Sequence, residues 1–322
     1  MKVKCANYIL WKTLAMLFLF LPSVVGAQRV VFTPQWTPQA QFAGYYVAYD
    51  KGFYQEAGVD VDIQHPSASY SAFNRLLEGS SDMITQQLVQ AMMQIDRGVP
   101  LVNVLQTSQQ NALMIISYRD SIRSLEHLNG KKVGVWKTGG FGELVYFLGS
   151  DMGLDIQWVT FLSGINLYLS GALDATLGMS YNEYLQIKVS GHENKPVIRL
   201  ADTEYNFPED GLYVTEEFYR KNPDKVKAFV EASRKGWEWA HEHPEETLDI
   251  VMRWAEKEKL HTNRIHQQWM LEEILRLQCA EGEKTPSFHL SAEVVEKLSS
   301  LLMKHHRIQQ PISLEKLKGG MP

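Results

Sequence analysis

Hydrophobic and polar positions alternate between two periods along most of this chain. Val30-Val31-Phe32 is a β-rich run that stops at Thr33-Pro34, the pattern of a strand running into a loop. Phe42 to Phe53 then follows a helical period, with Ala43, Tyr46, Val47 and Phe53 on the inner face. Gly58 stops that helix, and Val59, Val61 and Ile63 alternate as the next strand. A helix over 70–79, a strand over 82–85, a helix over 88–97 and apolar strand-length runs over 101–105 and 112–117 complete the first unit. This β-α-β-α-β-α-β order predicts a parallel sheet with helices on both faces. The pattern restarts after the turn Leu128-Asn129-Gly130-Lys131-Lys132. It gives strands over 133–136, 156–161 and 174–178, with helices to about 153 and over 181–189. Leu212-Tyr213-Val214 reads as one more strand, and the rest is helical. Val226, Phe229, Val230, Ser233, Trp237 and Ala240 share one face, and Pro244 opens a helix carrying Leu248, Val251 and Ala255. The expected architecture is α/β, in two lobes: 28–118 with 205–322, and 119–204 inserted between them. A helical C-terminal region follows, and the ligand cleft lies at the carboxyl ends of the strands.

Residues 1–27 stand outside this pattern. Lys2, Lys4 and Lys12 precede the short apolar run Leu14 to Leu21, and Val25-Gly26-Ala27 places small residues where a signal peptidase cuts. The run is too short to span a bilayer. A cleaved export signal is expected, with an uncleaved anchor as the alternative, and this implies a periplasmic protein. Its removal takes three lysines and no acids, so the net charge moves from −5 to −8. An acidic exported chain argues against nucleic acid and anionic membrane surfaces as partners. Cys5 leaves with the signal, and Cys279 is expected to be a buried thiol on a helix. With 45% hydrophobic and 21% charged residues, disorder and a disulfide scaffold are excluded.

The first chemistry-bearing segment is Pro34 to Tyr46, PQWTPQAQFAGYY, which mixes amides and aromatics at a strand end. Flat apolar rings beside Gln donors and acceptors suit a neutral heteroaromatic ligand. The alternative is that Trp36 and Tyr46 are core and the glutamines surface. The stretch QWTPQAQFAGYYVAYDKGFYQEAGVDV (35–61) resembles the opening of the periplasmic solute-binding proteins for thiamine pyrimidine precursors. These are type II periplasmic binding proteins, similar to the sulfonate-binding proteins. Gly79-Ser80-Ser81-Asp82, Leu128 to Val135 and Phe207 to Tyr213 add to the resemblance, which covers roughly residues 30–280.

That resemblance implies a carrier that delivers a hydroxymethyl- or formylamino-aminopyrimidine to the membrane subunits of an ABC importer. It would act as a monomer, without catalysis or cofactor. Trp36 and either Tyr45 or Tyr181 would sandwich the ring. Glu183, Asn182 and Gln41 would read its polar edge, with Gln35 nearby. A Glu in Tyr181-Asn182-Glu183-Tyr184 is implied to contact the pyrimidine; the alternative is a helix-start Glu favoured by the dipole. Gly140, in Gly139-Gly140-Phe141-Gly142-Glu143, belongs either to a loop beside the ligand or to a plain turn, and Glu143 disfavours a second negative charge there. Gln87, with Gln86 and Gln90, offers an amide contact or a surface helix start. Asp210 is a contact or a hinge turn. The histidines lack metal-ligand spacing and read as solvent-exposed helix residues.

Two other functions fit the same superfamily. Fungal pyrimidine phosphate synthase consumes pyridoxal phosphate and uses a Cys-rich motif, which this chain lacks. His65 is the only histidine in the first 90 residues, and no Lys stands within ten residues of it. A sensory ligand-binding module is the other. A sulfonate carrier would need a basic clamp, and Arg75, Arg97, Arg119 and Arg123 all lie outside the candidate loops.

Overall fold

The computed structural model describes residues 28–67, 70–137 and 141–319. The expected signal segment and Gly140 lie outside the described residues. Among the described residues, ten strands form two five-stranded sheets. They are β1 (Gln28–Thr33), β2 (Val59–Ile63), β3 (Met83–Gln87), β4 (Leu101–Gln106), β5 (Leu113–Ser117), β6 (Lys132–Trp136), β7 (Gln157–Phe161), β8 (Ala175–Met179), β9 (Val197–Arg199) and β10 (Asp210–Thr215). The first sheet has the order β2-β1-β3-β10-β4 and the second β7-β6-β8-β5-β9. Two α/β lobes with a helical C-terminal region are therefore present, as the periodicity and the resemblance imply.

Two expectations need correction. Leu113–Ser117 does not close the first sheet: it pairs with β8 and β9 of the second, so a lobe boundary at 118/119 falls one strand late. The strand is buried at every position, and an apolar run without alternation carries no sign of which sheet it joins. Neither sheet is purely parallel. β10 runs antiparallel to β3 and β4, and β5 runs antiparallel to β8 and β9. The physical reason is the crossover. The chain passes between lobes at the cleft, so each strand that begins there runs away from it, opposite to strands that end there.

The two crossovers are laced together. Thr107 N–H donates to the Asp210 carbonyl at 2.9 Å. Ser108 Oγ accepts from the N–H groups of Glu209 (2.7 Å) and Asp210 (2.8 Å).

The first lobe is held by two helices that touch through glycine. Helix Ala43–Asp50 crosses the long helix Pro223–Glu242 at Gly44 and Gly236. A Cβ on Gly236 would stand 2.1 Å from the Gly44 carbonyl oxygen, and one on Gly44 would stand 2.1 Å from the Trp237 ring. The expected inner face is buried at Val226, Phe229, Ser233, Trp237 and Ala240, with Val230 only half-buried. The helix expected over Phe42 to Phe53 is broken: a 3-10 turn (Ala40–Phe42) precedes Ala43–Asp50, and Gly52 at φ 77° separates it from Phe53–Glu56.

The C-terminal helices reach both lobes. The end of helix Ala292–Lys304 meets helix Glu143–Asp151 of the second lobe. Lys304 Nζ lies 2.6 Å from Asp151, and Arg307 lies 2.7 Å from Glu143. Burial alone would raise the Asp151 carboxyl. Hydrogen bonds from Lys304, Tyr205 and His305 outweigh that and hold it at about 2. Beyond this helix the chain returns to the first lobe, where Gln309 and Gln310 N–H groups donate to Asp96. The histidines are not uniformly surface groups: His241, His266 and His305 are each partly buried and engaged by Gln278, Asn182 and Asp151. Cys279 is buried just past the end of helix Arg264–Leu277. No helix among the described residues is long and apolar enough to cross a membrane.

Candidate functional site

The cleft is built from the loop after β1 on one side and the ends of β6 and β8 on the other. Two prolines stiffen the first loop, and polar ties hold it. Gln35 N–H donates to Thr85 Oγ1 (2.8 Å), and Ala40 N–H donates to Gln267 Oε1 (2.7 Å). His65 lies beneath Trp36: its Nδ1 is 2.7 Å from the Trp36 carbonyl and its Nε2 is 2.9 Å from Tyr46 Oη. A carbonyl only accepts, so Nδ1 carries the proton and Nε2 accepts from the tyrosine.

Burial, partly opposed by the Trp36 carbonyl, pushes the His65 pKa down from 6.5 to about 4. A histidine depressed on folding binds fewer protons in the native than in the unfolded state between those values. Stability then falls as pH drops from 6.5 toward 4, by up to about 3 kcal/mol. Acid unfolding of His65→Gln should lack this component. An unchanged slope through that window would assign the acid response to other groups.

Two glutamines converge on one carboxylate, and a third braces one of them. Gln35 Nε2 and Gln41 Nε2 each donate to Asp210 at 2.7 Å, and Gln39 Nε2 donates to Gln41 Oε1 at 2.7 Å. One N–H of each amide is used inside the protein and the Gln41 carbonyl accepts from Gln39, so the amides face the cleft in fixed orientations. Asp210 begins β10, so its backbone belongs to the laced crossover while its side chain orders the amides. Burial raises its carboxyl, and Gln41 and Gln35 partly offset this.

The opposite wall carries Trp136, Phe141, Met179, Tyr181, Asn182 and Glu183. Phe141 meets Trp36 edge-to-face across the cleft at 6.4 Å, and it meets Trp136 at 5.7 Å. Trp36 is 41% exposed, which is unusual for so large a ring and marks it as available. Glu183 opens the helix Glu183–Ile187. It accepts from Met179 N–H at 3.0 Å and from Asn182 Nδ2 at 2.9 Å. Its carboxyl is raised by burial, which these donors only partly offset. Tyr181 is pushed well up by burial and by the charges of Asp210, Glu209 and Glu183. The space between these walls is narrow, about 40 Å3, and among the described residues no Lys or Arg lines it. A wider groove of about 840 Å3 lies along β4 and helix Pro223–Glu242, away from the strand ends. The polar groups of both lobes converge in the smaller one.

Gln35, Trp36, Gln41, Tyr181, Asn182 and Glu183 therefore share one cavity, and Asp210 stands behind its amides. Tyr45 does not line it. It is 1% exposed, packed against Phe32 (4.6 Å) and Trp237 (5.7 Å), because its helical position turns it into the lobe. Gln87 ends β3 in a separate small hollow with Phe141 and Glu209. The wall residues Trp136, Phe141, Gln39 and Met179 were not anticipated, nor was the support from His65. Trp136 had a legible signal, an aromatic ending a strand before a glycine-rich loop. Burial and the neighbouring Asp210 push the Glu209 carboxyl well up. Among the described residues no group of three His, Cys, Asp or Glu is disposed to hold a metal.

Two lobes joined by paired crossovers, with dislocated strands β10 and β5, define the type II periplasmic binding protein fold. The alkanesulfonate-binding protein SsuA of Xanthomonas axonopodis pv. citri has the same fold, with a TM-score of 0.67 at 13% identity over 90% of this chain and 97% of that one. The family description "NMT1/THI5 like" matches residues 39–247, and the chain belongs to that family. It is 26% identical to the formylaminopyrimidine-binding protein of Halalkalibacterium halodurans, over 87% of this chain and 86% of that one. It is 24% identical to the riboflavin-binding protein RibY of Chloroflexus aurantiacus, over 91% and 87%. At 22% identity over 72% and 71% it is also similar to the yeast 4-amino-5-hydroxymethyl-2-methylpyrimidine phosphate synthase THI13.

Proposed function

We propose that this chain is the exported, ligand-capturing component of an ABC-type importer and that it holds a single-ring aminopyrimidine of the thiamine-precursor kind. The observation that carries this reading is an aromatic cleft lined by amides and a carboxylate, with no Lys or Arg among the described residues that line it. Glu183 and the amide carbonyls accept; an exocyclic amine and ring N–H donate. Trp36 and Tyr181 supply flat faces for the ring. A sulfonate or nitrate would meet carboxylates without a balancing charge, which disfavours the anions that share this fold. The name of the formylaminopyrimidine-binding relative supports this ligand, whereas that of the riboflavin-binding relative points to a larger heterocycle.

Capture would proceed by approach of the lobes about the laced crossovers. The ring would enter between Trp36 and the second-lobe aromatics, and Glu183 would meet its polar edge as the cleft shuts. Synthase chemistry has less support. Both ring nitrogens of His65 are already engaged, and the cleft wall offers no lysine for a Schiff base.

Calorimetric titration with 4-amino-5-hydroxymethyl-2-methylpyrimidine, its formylamino relative, riboflavin and methanesulfonate tests the reading. Binding of a pyrimidine and not of the sulfonate is expected. Preference for riboflavin or the sulfonate overturns the ligand assignment. Trp36→Ala should weaken pyrimidine binding about tenfold by removing one stacking face. Unaltered affinity would place the ring elsewhere.

A further inference from the structure

Helix Arg264–Leu277 packs on helix Pro244–Lys257 and on the turn Ala40–Phe42, so it belongs to the first lobe. Three of its residues nevertheless grip both ligand loops. Gln267 Oε1 accepts the Ala40 N–H at 2.7 Å on the first-lobe side. Trp269 Nε1 donates to the Ser180 carbonyl at 2.8 Å, and His266 Nε2 lies 2.9 Å from Asn182 Oδ1, both across the cleft.

The direction of this network follows from chemistry. An ionised carboxylate only accepts, so the amide nitrogen of Asn182 faces Glu183 Oε1, at 2.9 Å. Its carbonyl must then face the other way, where Gln186 Nε2 (2.9 Å) and His266 Nε2 meet it. His266 therefore donates through Nε2. Glu183 is held at two points: one oxygen by Met179 N–H of its own lobe, the other by an amide that a first-lobe histidine orients.

We propose that His266 is a positioning residue for Glu183, acting through Asn182, so that the carboxylate is held most firmly in its ligand-reading orientation when the first-lobe helix is seated on the second lobe. The proposal rests on the reading of Glu183 as a ligand contact, but its structural half stands without a ligand. The device couples closure to recognition: an open cleft would leave Gln186 as the remaining donor of these two to the Asn182 carbonyl, and Glu183 less firmly held.

The experiment uses the whole ligand-free protein first. Amide hydrogen exchange at Met179, whose N–H is bound by Glu183, reports the carboxylate's position directly. His266→Ala should speed that exchange about fivefold, the scale of one net hydrogen bond. His266→Gln, which retains an N–H donor, should restore it. Equal exchange in wild type and His266→Ala overturns the proposal, as does failure of His266→Gln to rescue. Binding of 4-amino-5-hydroxymethyl-2-methylpyrimidine is measured next. His266→Ala should weaken it about fivefold in the wild-type background and have no further effect beside Glu183→Gln. Additive losses overturn the coupling. If the wild-type protein does not bind this pyrimidine, the ligand assignment fails, while the exchange result still decides the role of His266.

Discussion

Glu183→Gln is expected to weaken pyrimidine binding by about 1.5–3 kcal/mol, the loss that follows a charge-assisted hydrogen bond. The carboxylate is 9% exposed, and its two oxygens already accept from Met179 N–H and Asn182 Nδ2. An amide cannot reproduce this arrangement, because its NH2 must face one of those two donors. Stability should move much less than affinity. Burial raises the Glu183 carboxyl, so its ionised form costs stability above the ordinary carboxylate range. A neutral Gln relieves that cost while adding the donor–donor conflict, and the two oppose each other. The sign also sets the pH response: affinity should fall on acidification at a higher pH than an exposed Glu would dictate, and Glu183→Gln should flatten the curve. Calorimetry across pH beside thermal unfolding of both proteins checks this. Equal loss of stability and affinity would make Glu183 a fold residue rather than a ligand contact.

Gly236→Ala carries the largest expected effect on stability. In an exposed helix interior this change stabilises by about 0.5–1 kcal/mol. Here the new methyl would stand 2.1 Å from the Gly44 carbonyl oxygen and 2.9 Å from both the backbone nitrogen and the Cβ of Ala48. None of these atoms can rotate away, so the two helices must separate and the Trp237 contact must open. A loss of about 3 kcal/mol is expected, or about 6 °C in Tm for a chain of this size. Glu231→Ala, exposed on the same helix, should change little. Helix Ala43–Asp50 also continues directly from the turn that carries Gln41, so the variant should bind more weakly as well. A neutral or stabilised Gly236→Ala would mean that the crossing is wider than the structure has it.

Much of the fold was legible because its signals are local. Nearly every strand and most helices declared themselves through alternation, helical period or a stop at Gly or Pro. The strand ends that carry Trp36 and Glu183 could be found by looking for polar and aromatic residues where such runs stop. The sheet that Leu113–Ser117 joins was not legible, because five buried apolar positions are compatible with either lobe. Nor was the choice between Tyr45 and Tyr181. Both are tyrosines near a strand end, and only the rotation of helix Ala43–Asp50 against Trp237 turns one of them inward.

The amino-acid sequence by itself determined the class of the molecule: two α/β units, a helical C-terminal region, and a cleft supplied with amides, aromatics and a carboxylate. Those features depend on residue type and on spacing of a few positions, which the chain states directly. The tertiary structure alone decided what faces what. It set Phe141 against Trp36, bound two glutamines to Asp210, and brought His266 to Asn182 across 84 residues. Such contacts arise from how packed elements rotate and cross, and no local pattern encodes them. The orientation of the cleft amides belongs to this second kind: Gln35 and Gln41 are fixed by a carboxylate that arrives from the far crossover.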